Sequence, residues 1–235
     1  MTSTQRLLII EDEAAIRTGL VDVFVFHGFT VDSAANGTEG LQKALSGQFD
    51  LILLDIMLPG INGYDICNAI REQDRKQAII MLTAKTSDEE IIQGLTLGAD
   101  DYVAKPFSIA ELVLRVKAVL RRGVGSADDG ATLLFADGLT IDMLNHCGQR
   151  HSEALTFTRR EIDLLSYLAR HSERPVSRAE LLTKVWGYAR HLDIETRTVD
   201  IHIAKLRRKI ETDPKEPVNL VTVRGAGYRL LHRAQ

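Results

Sequence analysis

Three features of the sequence predict a doubly wound α/β sheet domain followed by a smaller α+β domain. Across residues 1–122, five short apolar runs alternate with five amphipathic stretches. After a small-residue segment at 123–131, the pattern changes to paired strands, three helix-like stretches and a closing hairpin signal. Charge divides along the same line. Residues 1–122 hold 12 Lys+Arg against 17 Asp+Glu, whereas residues 132–235 hold 17 against 13. Strand–helix alternation implies right-handed crossovers, so the first region is expected to form a five-stranded parallel sheet. An acidic half before a basic half hints at metal chemistry first and polyanion binding second.

In the first region, LLII (Leu7–Ile10), FTVDSA (Phe29–Ala34), LILLD (Leu51–Asp55), AIIMLT (Ala78–Thr83) and YVAK (Tyr102–Lys105) read as strands. Helices are expected at Glu13–His27, Gly37–Leu45, Tyr64–Gln73, Asp88–Leu97 and Ser108–Arg122. The last has Ile109, Leu112, Val113, Val116 and Leu120 at helical spacing, behind a Ser108/Glu111 capping box. GVGSADDGA at 123–131 reads as a flexible linker. Beyond it, LLFADGLTID is a hairpin-like strand pair around Asp137-Gly138. Capping boxes at Thr158/Glu161 and Ser177/Glu180 open helices running to His171 and Trp186, and Thr196–Ile210 is a third. VNLVTVRGAGYRLL closes the chain as two strands around Gly225-Ala226-Gly227. Strands, three helices and a terminal hairpin describe a winged helix-turn-helix.

Composition narrows the class. With 45% apolar and 26% charged residues, the chain reads as globular. No apolar run approaches the ~18 residues of a membrane span, and no signal-peptide core follows Met1–Arg6. Cys67 and Cys147 form no disulfide framework or zinc motif, and His146, His151 and His171 lack metal-like spacing and read as surface or capping residues. The expected compartment is the cytoplasm.

Chemistry gathers at the expected strand ends. Glu11 and Asp12 follow the first strand, Asp55 ends the third, Thr83 the fourth and Lys105 the fifth. Functional groups of open α/β sheets converge at the carboxyl ends of the strands. Three close carboxylates repel unless a hard divalent cation joins them, and Mg2+ suits such donors. Taken singly, Glu11 and Asp12 could be a cap, Asp55 a turn acid and Lys105 a solvated charge. Together, carboxylates, a metal, a hydroxyl and an ammonium suit forming and reading an acyl phosphate.

IIEDE, LILLDIMLPGINGYDI, MLTAK and GADDYVAKPF resemble the receiver domain of two-component response regulators, over essentially all of residues 6–122. The resemblance implies that Asp55 is the phospho-acceptor. Asp12 would ligate Mg2+ directly, Glu11 largely through water, and Met57 through its backbone carbonyl. Lys105 would pair with the phosphoryl group, aimed inward by a cis bond to Pro106. Thr83 and Tyr102 would be the switch pair.

In the basic half, TRTVDIHIAKLRRKI puts Val199, Ile203, Leu206 and Ile210 on one apolar stripe of a basic helix, which fits a DNA major groove. LTFTRREIDLLSYL, VWG, RTVDIHIAKLRRKI and VRGAGYRL resemble the winged-helix effector domain of the OmpR/PhoB subfamily, from about Leu133 to Leu231. By that resemblance Lys205 and Ile201 would face bases, and Arg197, Thr198, His202 and Arg207 would hold the DNA backbone. Arg224 would enter the minor groove, which favours Arg where narrow. Ala204 stands where relatives often carry a basic residue. Trp186 is expected in the core. The loop 188–195 would meet RNA polymerase or a neighbouring subunit.

Relatives dimerise when phosphorylated, which here implicates Ile92, Leu95 and Leu114, with Ile91 extending the patch. Asp101–Arg115 and Asp100–Arg122 would bridge across the two-fold. With Ile91 in place of a basic residue, Glu111 is expected to turn to Arg115 within its own helix and divert it from Asp101.

The sequence therefore reads as a DNA-binding response regulator. A sensor histidine kinase, double-stranded promoter DNA, RNA polymerase and a second copy of the chain are its expected partners, and Mg2+ its cofactor. The domains expected are 1–122 and 132–235, joined by 123–131. Its output is binding rather than turnover, although the receiver would catalyse its own phosphorylation and dephosphorylation. A Mg-dependent aspartyl-phosphate phosphatase is the enzyme alternative. It would need a second acid two positions after Asp55, where Met57 stands. A phosphorylation-independent DNA-binding protein is the other alternative, and it gives the acid pocket no purpose.

Overall fold

A computed structural model of the chain describes residues 4–83, 97–121, 132–187 and 197–233, with the backbone alone at Arg121 and Arg197. The chain divides into two compact units, Met1–Arg121 and Arg122–Gln235. Most of the helix expected at Asp88–Leu97, the segment 123–131 and the loop 188–195 lie outside the described residues.

In the first unit β1 (Arg6–Ile10), β2 (Thr30–Ala34), β3 (Leu51–Asp55), β4 (Ala78–Thr83) and β5 (Asp101–Ala104) form one sheet in the order β2-β1-β3-β4-β5. All its pairings are parallel. Every residue of β3 and β4 is buried, as strands covered on both faces require. Side chains alternate across the sheet. Leu7, Ile9, Leu51, Leu53, Ile80 and Leu82 pack against Leu20 and Phe24 of α1 (Ala14–Phe26) and Leu112 and Val116 of α4 (Ile109–Arg121). The intervening Leu8, Ile10, Ile52, Leu54, Ile79 and Met81 are equally buried. Asn36 and Asn62 cap α2 (Gly37–Ala44) and α3 (Gly63–Gln73), each accepting an N–H bond at 2.9 Å from Glu39 or Asp65. Ser108 supplies its half of the expected box by accepting from Glu111 N at 3.4 Å.

The second unit opens with an antiparallel sheet of four strands, β6 (Thr132–Leu134), β7 (Leu139–Asp142), β8 (Cys147–Arg150) and β9 (Glu153–Thr156). The β6–β7 turn falls at Asp137-Gly138 as expected, whereas β8 and β9 have no counterpart among the expected strands. CGQR and EALT carry no alternating large apolar residues, and their turns contain His146 and His151 at φ 55° and 53° in place of glycine. Those two histidines are turn residues; His171 caps the C-terminus of α5 (Arg159–Arg170).

Thr158 and Glu161 form the full capping box of α5, with Thr158 N donating to Glu161 at 2.7 Å. The box expected at α6 (Arg178–Lys184) is only half formed. Ser177 accepts from Glu180 N at 3.1 Å, but the Glu180 carboxylate is taken by Arg174 at 2.7 Å and by the Tyr167 hydroxyl at 2.7 Å. Val199, Ile203, Leu206 and Ile210 of α7 (Arg197–Ile210) enter the core with Trp186, as expected. The terminal hairpin pairs β10 (Leu220–Val223) with β11 (Gly227–Leu230). Gly227, at φ 129°, lies so close to Val176 that a Cβ would fall 2.0 Å from the Val176 carbonyl oxygen. That approach lets Val176 and Tyr228 exchange backbone bonds of 2.7 and 2.9 Å. Among the described residues, no helix is long and apolar enough to cross a membrane.

Candidate functional site

The sheet order makes β1 and β3 neighbours, so their carboxyl ends deliver Glu11, Asp12 and Asp55 to one place. Their carboxylate oxygens lie within 4.8 Å of one another. Glu11 and Asp55 are buried, and Asp12 is exposed. From the end of β5, Lys105 Nζ donates to Glu11 Oε2 and to Asp55 Oδ2, both at 2.7 Å. Asp55 Oδ1 accepts the Met57 N–H at 3.1 Å, while the Met57 side chain is exposed. The Lys105–Pro106 bond is cis. Arg17 fixes the β1–α1 loop by donating to the carbonyls of Glu11 and Asp12, at 2.7 and 3.0 Å.

Burial pushes the Glu11 carboxyl up, opposed by its bond to Lys105, and the Asp55 charge adds to the rise. Burial also works against the Lys105 ammonium, but its bonds to Asp55 and Glu11 prevail and hold its pKa above the ordinary lysine value. Three carboxylates against one ammonium leave a local excess of negative charge on hard oxygen donors. That donor set fits Mg2+, which needs few protein ligands. Gly63 backs the site: a Cβ there would fall 2.2 Å from the Asp55 carbonyl oxygen, so α3 begins directly behind the acid. Thr83, fully buried, ends β4 beside Lys105, and Tyr102, also buried, sits in register with Met81.

The residues expected at a dimer face are differently engaged. Arg115 binds Asp101 at 3.0 Å and, through Nε, Glu111 at 2.9 Å, all within one chain. Glu111 thus turns to Arg115 as expected, but does not divert it, because a guanidinium fork serves both acids. Asp100 is also inward rather than available across an interface. It is 2% exposed, accepts from buried Arg71 at 3.1 Å and from Ile79 N at 2.9 Å. Leu114 is exposed. Ile91, Ile92, Leu95 and Arg122 lie outside the described residues.

In α7 the stripe opposite the core runs through positions 197, 201, 204 and 208. Ala204 and Arg208 are exposed, Thr198 and Ile201 half-buried. Arg224 is exposed at the β10–β11 turn. Three expected DNA contacts are engaged elsewhere. His202 is 1% exposed, its Nδ1 2.8 Å from the Thr198 carbonyl and its ring edge-on to Trp186. Burial pushes its pKa down to about 4, and Lys205 and Arg160 add to the drop. Lys205, with an 11% exposed side chain, lies 3.4 Å from the buried Glu161 carboxylate. Burial raises the Glu161 pKa, yet Lys205 and Lys209 outweigh it and hold the group below the usual range. Arg207 turns to the hairpin, donating to Leu220 O at 2.9 Å and Thr222 Oγ1 at 2.7 Å. Arg208, absent from the expected contacts, lies opposite Val199 and Leu206, a position that helical spacing alone identifies.

A sheet of this order, with acids and a lysine at its strand ends, together with a winged helix defines a two-component transcriptional regulator. The response regulator receiver domain family matches residues 7–117, and the C-terminal domain family of transcriptional regulatory proteins matches residues 152–230. The chain belongs to the OmpR/PhoB-type response regulators. It is 42% identical to the sensory transduction protein RegX3 of Mycolicibacterium smegmatis, over 95% of this chain and 98% of that one. It is also 42% identical to the DNA-binding response regulator MtrA of Mycobacterium tuberculosis, over 97% of each chain. Among solved structures, a RitR variant matches with a TM-score of 0.74 at 29% identity, covering 97% of this chain and 99% of that one. DrrB of Thermotoga maritima, an OmpR/PhoB homologue, matches at 0.52 with 30% identity and the same coverage.

Proposed function

We propose that a sensor histidine kinase phosphorylates Asp55, and that phosphorylation drives dimerisation and promoter binding. The observation that carries this is the union of Glu11, Asp12 and Asp55 within 4.8 Å, with Lys105 bonded to two of them. An Asp55 oxygen attacks phosphorus, the bond to the donor nitrogen breaks, and the imidazole leaves. Glu11, Asp12, Asp55 and the Met57 carbonyl would hold Mg2+, which neutralises charge building on the phosphoryl oxygens when bound. Lys105 then passes from Asp55 to a phosphoryl oxygen. The Thr83 hydroxyl binds another, and the added charge of about −1.5 to −2 favours the arrangement in which it does so. Tyr102 fills the space behind it.

An apolar groove of about 610 Å³, lined by Ile16, Leu20, Val23, Phe107 and Ile109, abuts Lys105. We assign residues 1–122 to the phospho-acceptor domain, 123–131 to a linker and 132–235 to the DNA-binding domain, acting in the cytoplasm. The dimer patch is Ile91, Ile92, Leu95 and Leu114; loop 188–195 is offered to RNA polymerase. Arg197, Thr198, Ile201 and Arg208 face DNA from α7, with Arg224 in the minor groove. Met57, two positions after Asp55, has no acid to offer a leaving group, which disfavours the phosphatase alternative.

Intact-mass measurement with a small phosphodonor and Mg2+ tests the reading. One acid-labile phosphoryl group is expected on the unaltered chain and none on Asp55→Asn. Undiminished labelling of that variant would place the acceptor elsewhere.

A further inference from the structure

Charged residues of α7 beside its DNA-facing stripe, with Glu211 immediately after its last turn, form a second, separate stripe that grips the terminal hairpin. Positions 200, 207 and 211 share one helical side, at spacings of seven and four. Asp200 accepts the Tyr228 hydroxyl of β11 at 2.6 Å. Arg207 donates to the Leu220 carbonyl and the Thr222 hydroxyl of β10. Glu211, 3% exposed, accepts three successive backbone N–H groups, from Val218 at 3.1 Å, Asn219 at 3.0 Å and Leu220 at 2.7 Å. Leu220 is thereby held at both polar backbone atoms, by Arg207 of α7 and by Glu211 just beyond its end. Asn219 Nδ2 completes the join by donating to the Ile210 carbonyl at 2.9 Å.

A two-stranded hairpin is marginal in water without such support. Its tip carries Arg224, at the turn between Val223 and Gly227. We infer that Arg207 and Glu211 are positioning residues for DNA recognition: they clamp the wing to α7, so that Arg224 and the DNA-facing stripe reach adjacent grooves as one rigid unit. This rests on the winged helix binding duplex DNA. It reassigns Arg207 from a phosphate contact to the register of the wing, and gives Glu211 a role that its negative charge near DNA would otherwise contradict.

A clamp and a contact differ in additivity. The probe is a duplex enriched from random sequence by the phosphorylated, full-length unaltered protein. If Arg207 acts through Arg224, Arg207→Gln and Arg224→Ala each weaken binding on the order of tenfold, and the double variant weakens it little further. In the Arg224→Ala background, Arg207→Gln leaves the salt dependence of binding unchanged. Glu211→Gln, which keeps one acceptor oxygen and loses the other, shows the same non-additivity. Thr222→Val removes an exposed partner of Arg207 and serves if either polar variant melts early by Trp186 fluorescence. Losses that multiply to about a hundredfold, with a salt slope lower by about one for Arg207→Gln alone, would make Arg207 a phosphate contact and overturn the clamp. Failure to enrich any duplex would overturn the DNA reading and the clamp with it.

Discussion

His202 shows how one residue's surroundings decide its role. On the sequence it is a polar residue of a DNA-binding helix; in the fold its ring is sealed against Trp186, 5.1 Å away between centroids. Burial favours the neutral imidazole, so the folded pKa of about 4 lies below the unfolded value of 6.5. Between those values the unfolded chain binds the proton and the folded chain does not. Stability from this group is therefore full above pH 6.5 and is lost as pH falls toward 4. The total loss is about 3 kcal/mol, at roughly 1.4 kcal/mol per unit. Chemical unfolding followed by Trp186 fluorescence should show that extra acid sensitivity in the unaltered chain. It should be missing from His202→Gln. Equal pH profiles for the two would mean the ring is not buried neutral.

Elements are held at their ends. Glu161 closes the capping box of α5, and its carboxylate also receives Lys209 at 2.6 Å and Lys205 at 3.4 Å from α7. Removing it leaves two lysines facing a low-dielectric site, so Glu161→Ala should cost about 3 kcal/mol in denaturant unfolding. Thr158→Ala, which loses the cap alone, should cost about 1 kcal/mol. Equal costs would deny the ion triad any part in stability. In the first unit, α3 starts against the backbone of Asp55, where a methyl group at Gly63 would fall 2.2 Å from the Asp55 carbonyl oxygen. Gly63→Ala should displace the acid from Lys105 and slow phosphoryl labelling at least tenfold while the sheet still forms. Labelling at the unaltered rate would show that α3 can retreat without moving Asp55.

At the scale of the molecule, each unit has its own core. One is centred on Leu7, Phe24, Leu53 and Val116, the other on Phe135, Leu165, Trp186 and Leu206. Chains 1–121 and 132–235, made separately, should therefore each unfold cooperatively. The first should accept phosphate at Asp55, and the second should bind DNA. Calorimetry and intact mass check this; a fragment without a melting transition would show that one core depends on the other unit.

The receiver strands, helix faces and the members of the acid site were legible because each follows from a local regularity, whereas the strand order that makes β1 and β3 neighbours is a tertiary fact. Apolar runs and 3.6-residue periodicity set the elements, and parallel strands place Glu11, Asp12, Asp55, Thr83 and Lys105 at the same, carboxyl end of the sheet. The antiparallel pair β8–β9 was not legible, since its strands lack that regularity and its turns use histidine. Spacing opposite the apolar stripe finds Arg208, but sequence could not decide which polar residues of α7 are drawn inward. Arg207, Lys205 and His202 are polar in sequence, but each is drawn to a partner distant in the chain: Leu220, Glu161 and Trp186. A helix repeat fixes the angle between residues on one cylinder. Only packing fixes which sectors of that cylinder meet the wing, the core or solvent, because burial makes an unpaired charge costly enough to override an outward position.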